Sequence, residues 1–308
     1  MPDTALAPAP VAAAPSAKPA VTDFTRSILE VLDQVRKSGP MQSIVFPPFP
    51  ELLARLQVAM SAAEPDLNEV ARIATSDVAM SVALLKAANS PLYAAGQPVQ
   101  TIGQAMNRLG LDQTAAVMTG FLAQRAIRIT SSQLARFWER ASKRAVALSF
   151  MAQKLPGVSA DVAYTYGLFL HVGMPVMVQS VKDYTGTLVE ALARKDRSFI
   201  DTENANHKTD HAVVGALVAR TWRMHPHVIA AIRLHHDLSS LGERRIDSDV
   251  QNLIAAGLVA EQLMRQHEGL EPEADWKAHC ARAMDWLQLT PDDLSAWQIE
   301  LGDLLDEG

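Results

Sequence analysis

Apolar side chains recur every three to four residues along nearly the whole chain, and no stretch alternates with period two. From Asp23 onward Phe24, Ile28, Val31, Leu32 and Val35 share one helical face, which Gly39-Pro40 ends. Phe46-Pro47-Pro48-Phe49-Pro50 is a proline-stiffened approach to the next helix, whose stripe is Leu52, Leu53, Leu56 and Met60. Leu67, Val70, Ile73 and Ala74 mark another helix. Ser76 or Asp77 then caps a third, which Asn89-Ser90-Pro91 stops. Thr101 caps the helix of Ile102, Ala105, Met106 and Leu109, with Gly110 placed for a left-handed end, and Asp112 opens the next.

Ser132 opens the longest predicted stripe, from Leu134 through Trp138, Ala141, Ala145, Leu148 and Ala152 to Leu155. Ser159 caps the helix that runs into Tyr166-Gly-Leu-Phe-Leu-His171. Gly173 is read as a break there, and Pro175 opens a helix to about Tyr184. A short helix around Leu188 and Leu192 is followed by a polar stretch, 195–208, read as a loop. Thr209 is placed as the cap of a helix carrying His211, Val214, Leu217 and Trp222, and Pro226 starts one bearing Ile229, Ile232 and His236. Three further helices are predicted at about 249–266, 274–287 and 291–305. The pattern predicts an all-α chain.

Composition narrows the function. Among 308 residues 48% are hydrophobic and 20% charged, a globular balance with ample material for a core. The net charge of −6 and the absence of a basic stripe argue against nucleic acid as a partner. No apolar run is long enough to span a bilayer, and the N-terminus lacks the pattern of a secretory signal, so the expectation is a cytoplasmic chain without a membrane partner. The single cysteine, Cys280, excludes an internal disulfide and a cysteine-rich zinc site. Residues 1–22, dominated by alanine and proline, cannot bury enough surface to offset ordering and read as a disordered tail. The expected organisation is that tail, an N-terminal helix at 23–40, a domain at 41–240 and a C-terminal helical extension at 246–308.

The ordered set Pro47-Pro48-Phe49-Pro50 with Leu52-Leu53, Ser76-Asp77 through Asn89-Ser90-Pro91, Thr101-Ile102 with Leu109-Gly110, and Gly167-Leu-Phe-Leu-His171 with Asp210-His211, Trp222 and His235-His236 resembles the HDOD domain, the HD-related output domain of bacterial signalling proteins. The resemblance implies a two-lobed helical fold, an N-terminal lobe plus an HD-like lobe, and a role in signal output. It implies partners such as a response regulator, a sensor kinase or an enzyme of cyclic-dinucleotide turnover, and leaves a homodimer open.

In the HD phosphohydrolases that this family resembles, a His, a His-Asp pair and a distant Asp fix metal ions that activate water. By that resemblance His171 is the histidine of the pair, but Val172 follows it, and an isopropyl group has no lone pair to give a cation. The first histidine is expected just after Trp138, where the chain reads Glu139-Arg140-Ala141-Ser142. His171, His211, His235 and His236 are candidates for one residual pocket, with Asp237 or Asp210 behind it and Arg140 or Arg144 adding positive charge. The plainer reading makes them buried histidines bonded to backbone and to one another. The expectation is therefore a non-catalytic regulatory module with no cofactor and no metal. A residual phosphohydrolase using the four histidines, and a nucleotide receptor using Arg140 or Arg144, are its rivals.

Overall fold

The computed structural model describes residues 21–37, 39–194 and 196–306; the expected tail lies outside them except for Val21 and Thr22. The described residues form α-helices and short 3-10 turns without strands. The helices are α1 (Asp23–Val35), α2 (Glu51–Ser61), α3 (Leu67–Thr75), α4 (Val78–Asn89), α5 (Ile102–Leu109), α6 (Leu111–Ala126), α7 (Phe137–Ala152) and α8 (Ala160–Phe169). They continue as α9 (Gly173–Ser180), α10 (Tyr184–Ala193), α11 (Phe199–His207), α12 (His211–Thr221), α13 (Pro226–Leu234), α14 (Ser248–His267), α15 (Ala274–Leu287) and α16 (Pro291–Asp306).

Helices α2 to α6 make the N-terminal lobe, and α6 carries it onto α8. The second lobe is centred on α7 packed along α8, with α9 across α12 and α13 beside them. Helix α14 lies on α7, α8 and α13, and α15 and α16 cover it, so the C-terminal helices share one continuous apolar core with the rest. Trp222 ties the lobes together. Fully buried, it meets the Phe169 ring edge-on at 5.8 Å, donates from Nε1 to the Pro47 carbonyl at 3.1 Å, and accepts on its own carbonyl from Gln57 at 2.8 Å.

The local signals translate into caps. Asp77 accepts from the amides of Ala79 and Met80, and Thr101 with Gln104 closes a reciprocal capping box. Asn89 brackets Val99 through both its amide atoms, at 2.8 and 2.9 Å, and so pins the loop after α4.

Three expectations change. The polar stretch 195–208 contains α11, because Ser198 caps it and Thr202 and Glu203 turn inward although few of its residues are apolar. Asp210, not Thr209, caps α12, accepting from the Val213 amide at 2.8 Å. Gly173 is a residue of α9 rather than a break. Val172 before it is already helical, and the glycine is demanded by proximity. A Cβ there would lie 2.0 Å from the His211 carbonyl oxygen and 2.7 Å from the Gly215 nitrogen.

The start of α1 is anchored by Asp247, just ahead of α14. Its carboxylate accepts from the Thr22 amide and hydroxyl, at 3.2 and 2.7 Å, and from the Thr25 hydroxyl, with His227 at 3.8 Å. Burial opposes ionisation of Asp247, but the threonine hydrogen bonds outweigh it and hold the carboxyl below its usual 3.8.

Two predictions follow from these contacts. Gly173→Ala forces backbone apart at a close-packed crossing and is expected to lower stability by about 3 kcal/mol or more, read by urea denaturation. Asp247→Asn is expected to cost about 1.5–3 kcal/mol near neutral pH. Because the folded carboxyl sits below its unfolded value, the stabilisation is full above that value and disappears as pH falls through the folded one. The wild-type and Asp247→Asn melting temperatures should therefore converge on acidification below about pH 4.

Candidate functional site

The turn Leu170-His171-Val172 joins α8 to α9 and points His171 at the first residue of α12, His211. His211 stands there because Asp210 caps the helix and Asn204 of α11 holds Asp210 at 2.8 Å. His235 and His236 follow the last residue of α13. The His171 Nδ1 and the Nε2 atoms of His235 and His236 each lie 3.3 Å from the His211 Nε2. All four of these nitrogens fall within 4.8 Å of one another.

The remaining ring nitrogens point outward to acceptors. His211 Nδ1 meets Glu203 at 2.7 Å, His235 Nδ1 meets the Ile232 carbonyl at 2.7 Å, and His236 Nδ1 meets Asp275 at 2.7 Å. His171 Nε2 faces Glu261 at 3.8 Å. Glu203 is fully buried and also accepts from the Tyr184 hydroxyl and, at 3.3 Å, from the His211 amide. A carbonyl can only accept, so His235 carries its proton on Nδ1 and turns a bare Nε2 toward the cluster.

Charge is arranged around this centre. Arg144, buried on α7, forks onto Glu261 and donates to the Gly167 carbonyl at 3.3 Å. Arg140 pairs with Glu268 and reaches Glu261 at 3.4 Å. Burial opposes charge on Glu261, but the Arg144 guanidinium overrides it and holds the carboxyl well below its usual range. Burial, reinforced by Arg144, pushes the His171 ring down to about 3. Burial and the neighbouring imidazoles likewise keep His235 well below its ordinary value. Burial also opposes ionisation of Asp275, yet its bond to His236 leaves it below the usual range.

The cavity against these rings is about 40 Å³, lined by Tyr166, His171, His235, His236, Glu261 and Asp275 among others. That is room for one ion or a water of about 30 Å³, not for a ligand needing about 300 Å³ or more. A larger hollow of about 640 Å³ lies on the outer side of His236, where Asp201, Asp210, Asp237 and Asp275 outnumber Lys208 and Arg233.

A His-Asp metal pair does not fit this centre. Val172 is fully buried, its Cγ1 in the crossing with Gly215, and α7 contains no histidine. The four candidate histidines are brought together. Asp237 takes the Ser239 hydroxyl at 2.8 Å in the following turn and lines the larger hollow beside His236. Arg140 and Arg144 border the site but are spent on Glu261 and Glu268. Glu203, Glu261 and Asp275 were not singled out in the sequence. The one available signal was Glu261, a charge within an apolar helical stretch.

A helical lobe in which the α8–α9 turn, α12 and the end of α13 bring four histidines together defines an all-α, HD-like fold. The HDOD domain family profile matches residues 46–238, and the chain belongs to that family. A Geobacter sulfurreducens HDOD domain protein of unknown function is similar over 91% of this chain and 98% of its own, with TM-score 0.64 and 18% identity. A Shewanella amazonensis SB2B protein provisionally named a phosphohydrolase is similar over 93% of this chain and 97% of its own, with TM-score 0.66 and 19% identity. At these identities the likeness is one of fold. An uncharacterised protein of Treponema pallidum (strain Nichols) is 25% identical over 228 residues, 73% of this chain but only 43% of its own length. The chain thus spans less than half of that relative.

The Arg144–Glu261 pair offers a direct test of how the site is held. Arg144→Met strands a buried carboxylate that only Arg140 at 3.4 Å and His171 at 3.8 Å still approach, and is expected to cost about 3 kcal/mol. Adding Glu261→Gln should recover much of that loss, measured as a double-mutant cycle in urea.

Proposed function

We propose that this chain is a non-catalytic signal-output module that acts by binding other signalling proteins in the cytoplasm. Membership of the HDOD family supports the signalling role. The observation that carries the non-catalytic reading is the size of the cavity beside the histidines, about 40 Å³, with an apolar Val172 where a metal-binding aspartate would follow His171. A phosphoester does not fit in that cavity, and the larger hollow beside His236 is predominantly acidic. The site also lacks the carboxylate that would complete a hydrolytic metal pair.

The nucleotide-receptor reading is weaker on the same geometry. Its cationic groups, Arg140 and Arg144, are already neutralised by Glu261 and Glu268, and the adjoining larger hollow is predominantly acidic. An acidic lining repels phosphate. The partners consistent with the family role are a response regulator, a sensor kinase or an enzyme of cyclic-dinucleotide turnover, and self-association into a dimer belongs to the same proposal.

The test is turnover. With excess Mn²⁺, Zn²⁺ or Mg²⁺, the purified chain is expected to hydrolyse neither generic phosphodiesters nor cyclic dinucleotides above the rate of its His171→Ala variant. Metal-dependent turnover that His171→Ala abolishes, in a variant still folded by circular dichroism, would overturn the proposal.

A further inference from the structure

Four imidazole nitrogens facing one another require an explanation, because bare ring nitrogens repel. His235 must present an unprotonated Nε2, since its Nδ1–H is committed to the Ile232 carbonyl. His211 and His236 have their Nδ1 atoms on the carboxylates of Glu203 and Asp275, which orients their Nε2 lone pairs into the same point. Contacts of 3.3 Å between such atoms are not hydrogen bonds unless an extra proton lies between them. They are, however, the separation expected between two ligands of one ion. A tetrahedral centre with metal–nitrogen bonds of about 2.0 Å has ligand edges of about 3.3 Å.

We propose that His171 Nδ1 and the Nε2 atoms of His211, His235 and His236 form a four-imidazole site for a borderline divalent transition-metal ion, with Zn²⁺ the best match, that serves to clamp the fold rather than to activate a substrate. Four observations meet here. The donors number four and lie within 4.8 Å of one another, with the three edges to His211 at 3.3 Å, so any closing-up that a tetrahedron requires falls on the edges among His171, His235 and His236. Three of the ligands hold an acceptor at 2.7 Å on their other nitrogen, the outer shell that orients metal-bound histidines, and His171 faces Glu261 at 3.8 Å. Among the described residues neither Glu203 nor Asp275 pairs with a lysine or arginine, so their charges stand ready to offset a dication held by neutral rings. Finally, Tyr166 lines the adjoining cavity with a buried hydroxyl that has no partner among the described residues, leaving a hydrogen bond for a water beside the ion.

Neutral nitrogen donors favour zinc, copper, iron or nickel over magnesium or calcium, and a tetrahedral set disfavours copper and nickel, which prefer square-planar or tetragonal geometry, leaving zinc the best match. Such an ion would join the α8–α9 turn, α12 and the end of α13. Through Glu203, Glu261 and Asp275 it would also tie in α11, α14 and α15. The inference does not rest on the proposed function. Metal without turnover satisfies both, whereas metal with turnover leaves the site standing but sinks the non-catalytic reading together with the purely structural role of the ion.

The test uses the full chain, stripped with chelator and then titrated with Zn²⁺, followed by elemental analysis after desalting. One zinc per chain is expected, with a rise in melting temperature, and Co²⁺ in its place should give the intense visible absorption of four-coordinate cobalt. His211→Ala and His236→Gln are expected to abolish stoichiometric uptake; His236 lies at the rim, so its variant keeps the test valid where loss of the buried His211 unfolds the chain. Asp275→Asn should retain the stoichiometry and weaken affinity by about 10- to 100-fold. His267→Ala, outside the cluster, should bind as wild type. A folded wild-type chain that retains no Zn²⁺, Fe²⁺ or Ni²⁺, or a His236→Gln variant that binds zinc as tightly as wild type, would overturn the inference.

Discussion

The crossing of α9 over α12 at Gly173 and Gly215 is the contact on which the site depends. Two backbones meet there with no side chain between them, a separation that any Cβ on Gly173 would make impossible. The carbonyl beneath Gly173 is that of His211, so the crossing that packs the lobe also sets the distance between His171 and His211. Val172 fills the remaining space. An apolar residue at that position suits a crossing buried from solvent on all sides, where an unpaired carboxylate would carry a heavy desolvation cost.

Around that crossing, each inward-facing carboxylate finds a partner. Glu203 takes three donors, Glu261 takes Arg144, and Asp275 takes His236. Such a network is stabilising when complete and costly when any member is lost, because the low dielectric that strengthens each bond also penalises each orphan. Glu261, Glu268 and Asp275 lie beyond residue 238, where the family match ends. The C-terminal helices are therefore part of how this centre is built, not merely a cover for it.

The positions of the helices were largely legible in the sequence, because a 3.6-residue apolar period survives wherever one face of a helix is buried and the other is wet. Helix α11 was not. Its stretch Phe199–His207 buries mostly polar groups, Thr202 and Glu203, so its inward face carries no hydrophobic signature. The same logic hid the outer ring of the site. Glu203 and Asp275 sit in polar runs that look like solvated surface, and Arg140 and Arg144 looked free until α14 placed Glu261 and Glu268 against them. The histidines were visible as candidates because an imidazole on an apolar stripe is conspicuous.

By itself the sequence determined the helical class, a cap at Ser76 or Asp77 and one at Thr101, the family, and the absence of a His-Asp pair at His171-Val172. Each of these is a property of neighbouring residues or of residue identity. Only the tertiary structure decided that four histidines, spread over 66 positions from His171 to His236, converge on one point and that each is oriented from behind by an acceptor. Convergence depends on how α8, α12 and α13 cross, and a crossing is set by the shapes of both faces, which no single stretch of chain contains.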